Sequence, residues 1–200
     1  MNKIIFKITI VCTFCAFLFS CSSPSTVQSW KNPDDKNIKI NNLFNFAILK
    51  YEDYKQECEG KIVMGFEYEK LICRSPQEFP EFNINPSLES LDKILKENKF
   101  NYFLTIKYLE KISDKADYST IEYQEYFKKG LERINKPDYK YKEDIRNSEL
   151  LEVIIFSVKD KKPVWAGIIK TIDDNIVMEV AIELTIEIMR DLKKEGLINK

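Results

Sequence analysis

This 200-residue chain has no histidine. Without an imidazole, serine–histidine and cysteine–histidine nucleophile pairs are out of reach, as are the commonest zinc and copper ligand sets. It has only five glycines and no G-x-G-x-x-G or Walker-type string, which disfavours a phosphate-cradling loop and leaves no cofactor motif. Three groups of side chains remain that could do chemistry or recognition. Cys58 and Cys73 either form a disulfide, worth on the order of 3 kcal/mol in the chain-entropy account, or stay as two buried thiols. Glu179, Glu183, Glu187 and Asp191 are spaced by four, so they share one helix face. Such carboxylates bind metal when partner helices supply the other ligands. No second acidic helix has matching spacing, so a solvated face is the expectation. Tyr118, Tyr123, Tyr126, Tyr139 and Tyr141, half of the ten tyrosines, fall in a long polar stretch, 113–147. Tyrosine gives large contact area at low entropic cost, which makes this stretch a candidate partner contact. A structural insertion is the alternative reading.

Cys21 is the remaining reactive residue. Lys3 and Lys7 precede an apolar run from Ile8 to Phe19. The run is shorter than the about 20 residues a transmembrane helix needs, and it has the size of a secretory signal core. It ends Leu18-Phe19-Ser20-Cys21, which resembles the lipobox of bacterial lipoproteins, with Phe19 at the most permissive position. Residues 1–20 then form a signal peptide, and Cys21 becomes the acylated N-terminus of the mature protein. Cys12 and Cys15 leave with the signal, so their C-x-x-C spacing has no redox meaning. One acyl chain anchors a protein only marginally, whereas the two or three of a lipoprotein hold it in the bilayer. By the same resemblance, Ser22 and Ser23 lack the Asp that favours inner-membrane retention, which points to the outer membrane of the bacterial cell envelope. An exported compartment also permits the disulfide.

Removing the two signal lysines takes the formal charge from −1 to −3. This near balance argues against a nucleic-acid footprint, which would be basic. Residues 21–42 read as a polar tether bearing one odd residue, Trp30, which is expected to fold back onto the domain. The domain then runs from 43 to 200. Strands are expected at Leu43–Leu49, Leu71–Cys73, Asn101–Leu109, Leu150–Val158 and Val164–Thr171, the fourth apolar on both faces and so central. Helices are expected from Glu52 to Tyr68, from Pro86 to Lys99 with Asn85 as N-cap, and from about Asp173 to Gly196. Gly60 and Gly65 weaken the first of these. The order defines an α/β or α+β domain, a mixed sheet of about five strands against about three helices, with the 113–147 stretch inserted.

Ser29-Trp30-Lys31-Asn32-Pro33 resembles the Ser-Trp-x-Asp/Asn-Pro opening of a broad family of uncharacterised bacterial envelope lipoproteins. Pro163-Val164-Trp165-Ala166-Gly167 is similar to that family's Lys-x-Val-Trp-x-Ala/Gly strand, and the ending Gly196-Leu197-Ile198 is similar to its usual close. The resemblance implies an α/β lipoprotein with no established catalytic residues. The expectation is therefore a non-enzymatic binding or assembly domain, anchored to the lipid membrane through Cys21, with an envelope protein as its partner. A carboxylate-based hydrolase acting on cell wall or glycan is the alternative, and it requires two facing acids in a cleft, one with a raised pKa.

Overall fold

The computed structural model describes residues 25–34, 38–136, 149–171 and 177–199. Residues 1–20, expected as a signal peptide, and Cys21, Tyr139 and Tyr141 lie outside the described residues. The strands are β1 (Ser25–Lys31), β2 (Asn42–Ile48), β3 (Ile72–Arg74), β4 (Tyr102–Leu109), β5 (Glu149–Ser157) and β6 (Pro163–Thr171). The helices are α1 (Glu52–Tyr68), α2 (Pro80–Ile84), α3 (Leu88–Glu97), α4 (Tyr123–Ile134) and α5 (Val177–Lys194). One six-stranded mixed sheet has the order β1-β6-β5-β4-β2-β3. The β2–β3 and β2–β4 pairs are parallel, and the others are antiparallel.

Side chains alternate across a strand, and here each alternate set meets its own layer of helices. On β5, Leu151, Val153 and Ile155 join a core with Ile62 and Phe66 of α1 and Leu184, Ile188 and Leu192 of α5. Ile154 and Phe156 join the other core, with Phe82 of α2, Leu91 and Leu95 of α3, and Phe127 of α4. The second core is aromatic: the Phe44, Phe46, Phe82, Phe103 and Phe127 rings meet mostly edge-to-face, with centroids 5.1–6.0 Å apart in those pairs. Such pairs add about 0.5–1.5 kcal/mol each beyond their buried area.

The helix ends follow from local chemistry. Ser87, not Asn85, caps α3: its Oγ accepts the Ser90 N–H at 3.2 Å, and the Ser90 Oγ accepts the Ser87 N–H at 3.0 Å. Asn85 instead closes α2, donating its N–H to the Glu81 carbonyl. Gly196, at φ 70°, ends α5 in a Schellman turn, with the Leu197 N–H on the Leu192 carbonyl at 2.9 Å. Lys70 (φ 61°) and Lys99 (φ 55°) close α1 and α3 in the same left-handed way without a glycine. Gly65 sits inside α1 because α5 crosses there; a Cβ at this position would overlap the Thr185 methyl.

Three expectations are corrected. The tether reading fails from Ser25 onward, because Ser25–Lys31 pairs antiparallel with β6 as an edge strand. Its Trp30 packs 5.7 Å from the Tyr118 ring. The 113–147 stretch contains a core helix, α4, whose Tyr123, Tyr126, Phe127 and Gly130 are buried at helical spacing. The acidic face of α5 is solvated only at its start: Glu179 is exposed and Glu183 half-buried, while Glu187 and Asp191 are buried. Glu187 accepts the Thr26 backbone N–H and pairs with Arg190 at 2.8 Å.

Candidate functional site

Lys107 of β4 and Glu152 of β5 stand directly opposite each other in the antiparallel ladder. Both point to the aromatic side of the sheet, where an unpaired charge would be costly. The pair is closed at 3.0 Å from Nζ to Oε2, with Glu152 fully buried. Three more donors complete the carboxylate. Tyr126 donates its hydroxyl to Oε2 at 2.6 Å, Tyr118 donates its hydroxyl to Oε1 at 2.9 Å, and the Ala116 backbone N–H reaches Oε1 at 2.9 Å. The Lys107 ammonium also sits 4.6 Å over the Tyr126 ring. Burial, and then the charge of Glu152, push the Tyr118 and Tyr126 hydroxyls far above the ordinary phenol range. Both phenols therefore stay protonated and act as donors.

These are two of the tyrosines expected at a partner surface. They are turned inward, and Tyr123 is too, with its hydroxyl donated to Asp92 at 2.8 Å. The inward turn follows from the amphipathic spacing of α4, which places Tyr123 and Tyr126 on the same stripe as Phe127. The polar tips are then matched to carboxylates rather than to solvent.

Above this cluster, between β4 and α4, lies a cleft of about 390 Å³. Lys107 and Tyr126 line its inner wall, with Lys129 and Arg133 of α4 and Thr120 and Ile121 of the preceding turn around them. Lys129 pairs with Glu125 at 2.6 Å, and Arg133 stands 3.9 Å from Glu110. The Lys129–Glu125 pair is exposed and worth at most about 1 kcal/mol, so an incoming anionic group can exchange with Glu125 at little cost. Gly130 keeps this helix close to the sheet, since a Cβ there would lie 2.6 Å from Ile48 Cδ1.

Cys58 and Cys73 are both buried, and no disulfide joins them. Burial pushes the Cys73 thiol up to about 12, so it is inert near neutral pH. Its Sγ accepts from the Asn45 amide at 3.3 Å. Among the described residues, no three ligand-type side chains converge as a metal ion would require. Glu59 is the acid whose environment most resembles a general acid's, because burial raises it to about 8. It is nevertheless sealed from solvent, and its Oε1 accepts the Ala47 N–H of β2 at 2.9 Å. The residues of β3 that pair with β2 reach only Phe44, so Glu59 supplies the acceptor that a longer edge strand would have given. The sequence also spells Ser-x-x-Lys once, at Ser90–Lys93, a spacing associated with serine nucleophiles. Here the Ser90 hydroxyl is engaged with Ser87 in the helix cap.

Reading the sequence did not single out Lys107, Glu152 or Arg133. The available signal was a charge in the interior of each of two largely apolar central strands, Lys107 in β4 and Glu152 in β5. An inward charge in such a strand needs a partner, and the adjacent strand held one.

No family model and no curated protein matches the chain. Among solved structures it is similar to the PelC dodecamer of Paraburkholderia phytofirmans, at 8% identity and a TM-score of 0.47, over 88% of this chain and 99% of that one. A single-substitution variant of the same PelC matches at 8% identity and a TM-score of 0.43, over 80% and 95% of the two chains.

Proposed function

We propose that this protein is a lipid-anchored lipoprotein of the bacterial outer membrane, which binds an envelope partner without catalysing a reaction. The observation that supports binding best is the cleft over Tyr126. It has the volume of an ordinary ligand site, and three cations, Lys107, Lys129 and Arg133, border it. The one acid in its lining, Glu125, is paired with Lys129, and Glu152, which lies beneath the cleft, is already saturated by four donors. A carboxylate so held is a fixed support for Lys107 and the two tyrosines, with no free lone pair placed to take a substrate proton. The recognised group is accordingly anionic, a carboxylate or phosphate on an envelope component. The proposed contact is thus the outer rim of α4 and its preceding turn, in place of the tyrosines. The hydrolase reading would need a raised acid facing a second acid across a cleft, and Glu59 is instead enclosed beneath β2.

The test is photocrosslinking in intact envelopes from residue 120, beside the cleft, with the exposed residue 84 at the end of α2 as control. A discrete adduct from residue 120 that disappears in Lys129→Glu/Arg133→Glu, with an unchanged melting temperature, supports the reading. The same adducts from both positions, or adducts indifferent to the charge reversals, contradict it.

A further inference from the structure

The start of β1 and the start of α5 lie at the same end of the sheet. Ser25 pairs with Lys170, at the end of β6, and α5 begins at Val177, six residues after Thr171. From there α5 runs alongside β1, with Thr26 held by Glu187 and Lys31 donating to the Glu195 carbonyl at 2.8 Å. Residues 177–187 of α5 therefore extend about 15 Å along the helix axis before they draw level with Thr26. This first half of α5 has an outward face that is not polar. Met178, Ile182 and Ile186, spaced by four, are 48%, 39% and 51% exposed, and Val27 of β1, beside Thr26, is 44% exposed. The opposite face of the same helix, Ala181, Leu184 and Ile188, is already used in the core.

Cys21 is only four residues before Ser25, and four residues of chain reach about 14 Å at most. An anchor at Cys21 therefore holds this end of the domain within one short span of the lipid surface, beside the exposed stripe. We infer that Met178, Ile182 and Ile186 are the membrane-facing surface of the anchored protein, lying in the headgroup boundary as the apolar side of an interfacial helix. The inference rests on the lipoprotein reading above. Glu179 is exposed on the same turn as Ile182, so the surface suits zwitterionic lipid better than strongly anionic lipid.

The test uses the full chain, matured in a bacterial envelope and reconstituted into phosphatidylethanolamine/phosphatidylcholine vesicles. Nitroxide labels are placed by Ile182→Cys, Ile186→Cys and, as control, Ile84→Cys on α2, which is 84% exposed and packs on the other side of the sheet. Cys58 and Cys73 are buried and escape labelling in the folded protein. The expected result is an oxygen-to-nickel accessibility ratio several-fold higher at 182 and 186 than at 84. If the protein carries a lipid mass and sediments with vesicles, but 182 and 186 are as water-accessible as 84, the surface is overturned and the anchor stands. If the protein carries no lipid mass and stays in the supernatant, both are overturned. Spin–spin broadening at 182 that vanishes on dilution with unlabelled protein would assign the stripe to a second copy and overturn the membrane contact.

Discussion

Glu152 and Glu59 are both fully buried carboxylates, but their surroundings treat their charge in opposite ways. Glu152 is met by an ammonium, two phenols and a backbone N–H. Removing it leaves Lys107 and two hydroxyls without an acceptor, and breaking a buried pair in this way costs about 3–5 kcal/mol. Glu152→Ala should lose that much stability in urea unfolding. Tyr126→Phe should lose about 1.5–3 kcal/mol, the range for a hydrogen bond to a charged group. Equal and negligible losses would show that the cluster is not coupled. Glu59 has one donor on Oε1, from Ala47, and none on Oε2. Burial raises it most, Lys55 and the Ala47 hydrogen bond oppose the rise, the nearby Glu52 adds a little to it, and the net is about 8. Its proton is therefore held more tightly in the folded than in the unfolded chain. The resulting stability is fully present below about pH 4.5 and is lost as pH rises through about 8. The loss is on the order of 5 kcal/mol from this group. Glu59→Gln cannot titrate, and its amide adds an unmatched buried donor. It should be less stable than wild type at pH 5 and no less stable at pH 8.5, measured by denaturant unfolding. Parallel profiles would contradict the assignment.

At the scale of elements, α1 and α3 end in left-handed residues that are lysines. A non-glycine residue there costs about 1 kcal/mol. Lys99 is exposed and its side chain is not needed for the turn, so Lys99→Gly should raise stability by up to about 1 kcal/mol while Lys99→Ala does not. No difference between the two would contradict the strain. Much of the element order was legible in the residues. Leu150–Val158 is apolar on both alternating sets, and that pattern foretold a strand covered on both faces. Gly196 and Leu197 foretold the close of α5. Two elements were hidden, for physical reasons. β1 is an edge strand whose side chains alternate between exposed and half-buried, so it has little apolar content, and the polar composition of its surroundings masks the alternation. Its β-forming Thr26, Val27 and Trp30 were the usable signal. Helix α4 was hidden by counting tyrosines as polar. Counted as core residues, Tyr123, Tyr126, Phe127 and Gly130 show the helical period. The Lys107–Glu152 pairing was not legible, because it depends on strand register, which is set jointly by two segments far apart in sequence.

On the scale of the whole molecule, the sheet separates two cores, and the account assigns its two outer sides different tasks. The α2–α3–α4 side bears the cationic cleft. The α1–α5 side is the one proposed to meet the lipid, through the start of α5. If Cys21 is acylated as proposed, β1 beginning at Ser25 leaves a short anchor that would hold the domain against the bilayer, where a ten-residue extended tether would let it range about 30 Å away. That arrangement places the cleft where a membrane-bound envelope component could reach it. All of this depends on acylation of Cys21. The measurement that tests it most directly is intact mass and detergent-phase partitioning of the wild-type protein beside Cys21→Ala. The account predicts a diacylglycerol-sized or larger mass on a chain beginning at Cys21, detergent-phase partitioning of the wild type, and loss of both in the variant. A wild-type protein with no added mass that stays in the aqueous phase would contradict it.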